Sequence, residues 1–232
     1  MAADVIWPRE ELPARRPFFN VARRSVAGPA TREGLGQVSA SDAGVWKATF
    51  DEVIVYQQNG KDRIKLWHAI SGLLEGRLNT VLMPVEVTGR RPLPVGVTDE
   101  DIDDEEGTPH SDDSFFDDDT GYLNGWIDVE AASRPARSTS IWLSKIHCGQ
   151  IESGMRFSIG ERLYQVKSVI VQTQLVAHVQ LNLPLREAVA TGARAEFARP
   201  VCLMRLATDE EMDLAIEMAR YAFPTINLVE AL

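Results

Sequence analysis

The chain has 232 residues, 44% of them hydrophobic, with five Trp and eight Phe. That is enough apolar material for one large domain or two small ones, and it excludes a disordered polymer. The formal net charge is −10, but the acidity is local: twelve of the 21 positions from Asp99 to Asp119 are Asp or Glu, and removing them from the 34 acidic residues leaves 22 against 24 basic ones. A near-neutral remainder argues against a nucleic-acid partner, which needs a basic face to neutralise phosphates.

The first thirty residues carry Pro8, Pro13, Pro17 and Pro29 and are expected to run extended. They contain no apolar leader, and no run in the chain approaches the ~20 apolar residues of a membrane-crossing helix, so a product made in the cytoplasm without membrane insertion is expected. Arg15, Arg16, Arg23 and Arg24 form a basic cluster, read as solvated surface or as a contact for an acidic neighbouring subunit. GPATREGLGQ lacks the G-K-[ST] ending of a phosphate loop and reads as a turn between strands, with GQVSAS as a short pairing strand. Val45–Val55, VWKATFDEVIV, places Val45, Ala48, Phe50, Val53 and Val55 among polar partners. The alternation is imperfect but rich in β-branched and aromatic residues.

KDRIKLWHAISGLLEGRLN is the one strong helix. A turn of 100° per residue puts Leu66, Trp67, Ile70, Leu73 and Leu74 on one side, with Asn59 or Asp62 as cap and Gly76 just past the end. TVLMPVEV then supplies a strand. Residues 90–133 read as a long surface loop or linker whose charge and breakers forbid a packed core, with YLNGWIDV as a short docked strand. Beyond it STSIWLSKI alternates Ile141, Leu143 and, after a shift, Ile146. FSI and RLYQVKSVIV flank a turn at Ile159–Gly160–Glu161, and HVQLNLPL alternates Val179, Leu181 and Leu183. Short strands at this spacing suggest a compact barrel or sandwich. In the last 33 residues TDEE at Thr208–Glu211 has the capping-box pattern of a helix, whereas Met212, Leu214, Ile216 and Met218 recur at spacing two, and strands are favoured.

Nothing in the chain names a reaction. An EF-hand loop needs Gly sixth and Glu twelfth, where DEDIDDEEGTPH has Asp104 and His110; Asp117–Tyr122, DDDTGY, is only a partial calcium-loop pattern. Paired catalytic carboxylates need a rigid scaffold, which a Pro/Gly-broken acid run does not offer. His68, His110, His147 and His178 show no ligand spacing, and the side chains of neighbours His147 and Cys148 diverge on a strand. Cys148 and Cys202 have no C-x-x-C spacing and are expected to stay reduced. Ser39, Ser41 and Ser158 have no G-x-S-x-G context and no base nearby in sequence. Trp46, Trp67 and Trp142 lie in periodic apolar segments and are expected in the core, His178 is an ordinary strand residue, and Trp126 beside Gly125 is a candidate for exposure. No catalytic, cofactor or metal residues are therefore assigned, and no cofactor is expected.

Three stretches together resemble the distal tail and related minor tail proteins of long-tailed bacteriophages. They are SASDAGVWKATFDEVIV; LWHAISGLLEGRLNTVLMPV; and FSIGERLYQVKSV followed by LNLPLREAVATGARAEFARPVCLMRLA, with INLVEAL resembling the family's final strand. The resemblance implies a mainly β fold: a split β-sandwich-like domain with one packed helix (1–95 plus 200–232), an acidic linker (96–135) and an inserted small β-barrel (136–199). It implies a non-enzymatic structural virion protein, assembled in the host cytoplasm. Copies would form a trimeric or hexameric ring at the tail tip and join the tail tube and tape measure to the hub or baseplate. The acid segment is longer than the connection this pattern implies, and it reads as a solvated connector that tunes contacts and carries no chemistry. The other reading of the residues is a carbohydrate- or receptor-binding β-module that uses exposed aromatics such as Trp126 and Tyr122.

Overall fold

The computed structural model describes residues 5–30, 36–58, 61–104, 125–216 and 221–232. The chain is mainly β and forms two compact units, one from residues up to Val85 together with Cys202–Leu232, the other from Glu86–Val201. In chain order the first unit contributes β1 (Val5–Ile6), β2 (Ala14–Ala30), β3 (Gly36–Val53), β4 (Val55–Gln58), β5 (Lys61–Asp62), α1 (Arg63–Leu74) and β6 (Val81–Pro84). The second supplies α2 (Asp99–Asp103), β7 (Asp128–Ala131), β8 (Ser140–His147), β9 (Arg156–Ile159), β10 (Arg162–Gln172), β11 (Val176–Leu181) and β12 (Ala193–Glu196). The chain then returns to the first unit with β13 (Val201–Leu206), β14 (Tyr221–Ala222) and β15 (Ile226–Glu230).

The first unit is built on a six-stranded sheet in the order β1-β6-β13-β15-β3-β2, with β14-β4-β5 as a second, smaller sheet. Strands from the two chain ends are thus hydrogen-bonded neighbours: β15 pairs antiparallel with β3, placing Ile226 opposite Phe50 and Leu228 opposite Ala48. The buried Glu230 carboxylate accepts the Trp46 N–H at 2.9 Å. Trp46, Ala48 and Phe50 face inward at spacing two, as the pleat requires. The irregularity seen in the sequence of this strand has a local cause. Glu52 has φ 53°, and past it the inward positions move to Val53 and Val55, both fully buried. A non-glycine residue in the left-handed region breaks the alternation, so the inward row changes phase there.

Helix α1 buries Trp67, Ile70 and Leu74. The Asp62 carboxylate caps it by accepting the Lys65 N–H at 3.1 Å, and Glu75 and Gly76, both with positive φ, end it. Leu73, expected on the packed side, is 58% exposed. The buried stripe is narrower than the sequence suggests, because one turn of a helix resting on a sheet touches it with only one or two residues. The Trp67 indole N–H donates to the Met212 carbonyl at 2.8 Å, and its ring meets Trp7 edge-on with centroids 6.2 Å apart.

The second unit is a closed six-stranded barrel, β10-β11-β8-β7-β12-β9. Closure leaves it no open sheet edge, and one face of each strand fills the interior. Val179 and Leu181 lie inward on β11, and Gly160–Glu161 form the turn between β9 and β10, as their sequences indicate. Strand β8 differs from expectation. Its alternation continues without a shift, so Ile141, Leu143 and Lys145 are buried and Ile146 is 58% exposed. Lys145 sits at an inward position near the strand end, its stem buried and its ammonium reaching the Thr173 carbonyl at 3.5 Å.

Two boundaries also differ. The barrel takes in β7, which lies within the stretch 96–135 read as a linker. The opening of the acid run is not wholly solvated either: Asp99–Asp103 form α2, and Ile102, 6% exposed, belongs to the barrel's apolar core. Residues 208–216 form turns and irregular chain, neither the helix nor the strands the pattern offers. There Thr208 Oγ1 donates to Glu211 Oε1 at 3.3 Å, while the Glu211 carboxylate also accepts the Asn227 N–H at 2.8 Å. Glu211 is thus engaged with β15, and Thr208 with Glu211. Asn59, Thr31–Leu35 and Met218 lie outside the described residues.

Candidate functional site

The acid segment bears most of the charge, so its described part, Asp99–Asp104, comes first. The chain approaches it through Arg91, a buried cation that no sequence pattern singled out. Its side chain is 2% exposed and clasped between two carboxylates: Nη1 donates to Asp99 Oδ1 at 2.9 Å and Nη2 to Asp103 Oδ1 at 2.7 Å. Nε donates to the Ala198 carbonyl at 2.9 Å. Asp99 and Asp103 are four apart on one turn of α2, so both reach the same guanidinium. Burial disfavours the charged form of Arg91, but the hydrogen bonds and charges of Asp103 and Asp99 more than offset it and raise its pKa. Asp99 also accepts the Gly89 N–H at 2.9 Å.

Asp101 faces the other way and completes a capping box with Thr98, accepting both the Thr98 N–H and its hydroxyl at 2.7 Å. Those bonds hold its carboxyl below the usual carboxylate range. Three of the acids are therefore committed to fixing the start of the segment. Residues 105–124, which hold His110, Tyr122 and the partial calcium-loop pattern at Asp117–Tyr122, lie outside the described residues. Among the described residues no group of His, Cys, Asp and Glu is placed to hold a metal ion.

A close backbone approach secures the Pro-rich stretch after Arg91. Gly149 N–H donates to the Pro92 carbonyl at 2.9 Å, and a Cβ at Gly149 would collide with the Leu93 carbonyl, so only glycine fits.

The histidines resolve into two aromatic stacks on the barrel. His178 and Trp142 are register partners on β11 and β8, and their rings lie 4.4 Å apart and 6° from parallel. Trp142 thus points outward, 36% exposed, and is not the core residue expected. Its parity explains this, since it sits between inward Ile141 and Leu143. His147 and Trp126 stack with centroids 4.2 Å apart, and His147 Nδ1 lies 2.8 Å from the Trp126 carbonyl oxygen. Trp126 is 49% exposed, as anticipated. Near it Arg194 pairs with Glu196 at 3.0 Å and Arg199 donates to the Ile102 carbonyl at 3.1 Å, around an open hollow of about 470 Å³. His68 is exposed on α1, apart from the other described histidines in sequence.

The remaining candidates are structural. Cys148 and Cys202 are free thiols, and burial pushes the Cys148 thiol up to about 11, opposed in part by Lys145. A thiol so disposed is protonated and weakly nucleophilic near neutrality. Ser158 is buried, and its hydroxyl accepts the Val201 N–H at 3.2 Å. Ser39 and Ser41 lie in β3, opposite Val26 and Arg24. Among the described residues no helix is long and apolar enough to cross a membrane.

No protein-family model matches this sequence, and no curated protein matches it.

Proposed function

We propose that this protein is a non-enzymatic structural component of a bacteriophage tail tip, whose copies assemble into a trimeric or hexameric ring joining the tail tube to the hub or baseplate. The observation that supports this most is topological. Strands from the two chain ends share one sheet, and a complete barrel lies in the sequence between them. That is the arrangement implied by the tail-protein resemblance. It suits a ring subunit, because the sheet-bearing unit can serve the assembly while the barrel is a separate closed module. Asp99, Asp101, Asp103 and Ser158 each hold a structural partner, which supports a role without catalysis. Tape-measure, tube and hub proteins would be its neighbours in the virion. Size-exclusion chromatography with light scattering tests the reading: a discrete multimer of three or six copies supports it, and a monomer at every concentration rejects it.

A second reading rests on Trp126. Its indole is held by His147 on one side and borders a hollow with Arg194, Glu196 and Arg199. A held aromatic face beside charged hydrogen-bonding groups is the chemistry that packs on a sugar ring. Binding on a glycan array, abolished by Trp126→Ala, would favour a carbohydrate- or receptor-binding module.

A further inference from the structure

We infer that the outer wall of the barrel at β8, β10 and β11 is a face through which two copies of the chain pair, each presenting the same side chains to the other. Trp142, Ile146, Ile170, Val171 and Leu175 are between 36% and 74% exposed. Strand register gathers them. Val171 lies opposite His178 and His178 opposite Trp142, so one outward row crosses three neighbouring strands. The Lys145 N–H donates to the Leu175 carbonyl at 2.7 Å, which sets Leu175, in the turn between β10 and β11, beside the end of β8 that carries Ile146. The stack with His178 holds the Trp142 ring in place.

Area and charge both point to a second copy as the occupant. Full burial removes about 100 Å² of apolar surface per aliphatic side chain and about 200 Å² per Trp, so these five, partly exposed, present about 300 Å². That is the size at which a patch on a monomer becomes functional. Two such faces bring about 600 Å², the apolar share of an interface of about 1,000 Å², where specific but concentration-dependent contacts begin. A quarter of the chain is charged, yet no Asp, Glu, Lys or Arg occurs from Ser138 to Ser144 or from Ser168 to Leu185. Two acidic copies can therefore approach here without repulsion. The nearest charges stand at opposite corners. Lys167 precedes Ser168, which lies opposite Gln180, two residues from His178 in one direction along the wall. Glu130 lies opposite Ser144, two residues from Trp142 in the other direction. Among the described residues neither forms an ion pair. A half-turn about the His178–Trp142 stack carries Lys167 of one copy to Glu130 of the other, and the reverse. An apolar centre with opposite charges at exchanged corners is complementary to itself, as an isologous contact requires.

Sedimentation velocity of the full chain across the micromolar range tests this. The mass found at low concentration should double as concentration rises. The variant carrying Ile146→Glu and Leu175→Glu should not double, at unchanged melting temperature because both side chains are exposed. Lys167→Glu and Glu130→Lys should each raise the dissociation constant by about tenfold, and an equimolar mixture of the two should regain wild-type affinity, since every corner again faces its opposite charge. A wild type that never doubles, doubling that survives the glutamates, or a mixture no tighter than either variant alone would overturn the inference. Doubling starts equally from one copy or from a ring, so none of these results bears on the ring reading, which is judged by the mass at low concentration.

Discussion

Arg91 offers the sharpest quantitative test of how the barrel and the acid segment are joined. Arg91→Ala removes four hydrogen bonds, two of them to carboxylates and two to backbone carbonyls, from a side chain that is 2% exposed. Breaking a buried ion pair by removing one partner costs ~3–5 kcal/mol when the survivor stays buried. Here the survivors are not equally trapped: the Asp103 side chain is 48% exposed and rehydrates, whereas that of Asp99 is 21% exposed and the Ala198 carbonyl loses its donor. The discounted loss is about 3 kcal/mol, and for a domain of this size about 10 °C in melting temperature. Arg91→Lys keeps the charge but not the fork that spans both carboxylates, and should recover less than half of the loss. Denaturant unfolding followed by fluorescence of the barrel tryptophans measures both. A change below about 0.5 kcal/mol for Arg91→Ala would refute the anchoring role, since no rearrangement of solvent replaces a buried guanidinium at so little cost.

Three further outcomes follow from the same geometry. Ile102→Ala should destabilise the barrel by about 2–4 kcal/mol, because α2 delivers this side chain into the apolar core; an effect typical of surface changes would place α2 off the barrel. Trp67→Phe should cost the sheet-bearing unit about 2 kcal/mol by leaving the Met212 carbonyl without its donor, as read from chemical denaturation. Cys148 has a folded pKa raised to about 11, above that of an unfolded thiol. Its contribution to stability is therefore fully present below the unfolded pKa of about 8.5 and is lost as pH rises toward 11. Modification by a thiol reagent at pH 8 should accordingly be slower than that of a free cysteine by more than tenfold, and equal rates would contradict the burial.

Several parts of this fold were legible because they depend on near neighbours in sequence. The Gly160 turn and the inward row Val179–Leu181 follow from spacing alone, and Asp62 is one of the two α1 caps that the sequence offers. The failures share a different cause. In β8 a buried lysine holds an inward place, so a reader who seeks apolar residues inserts a shift that the strand does not make. In β3 the positive φ at Glu52 changes the phase, and composition gives no sign of it. Thr208 and Glu211 look like a helix start, but the Glu211 carboxylate is drawn to Asn227, sixteen residues on. Arg91 was the least visible: its partners lie eight and twelve residues ahead in a run that composition alone assigns to solvent. The available signal was the pair Arg90–Arg91 at the head of a Pro-rich apolar stretch, followed by Asp at i and i+4.

The claim on which the functional account turns is that copies of the chain close into a ring. Negative-stain electron microscopy of the purified full-length protein tests it most directly. The account predicts closed annular particles with three or six repeating densities, and fields of uniform particles the size of one chain would contradict it.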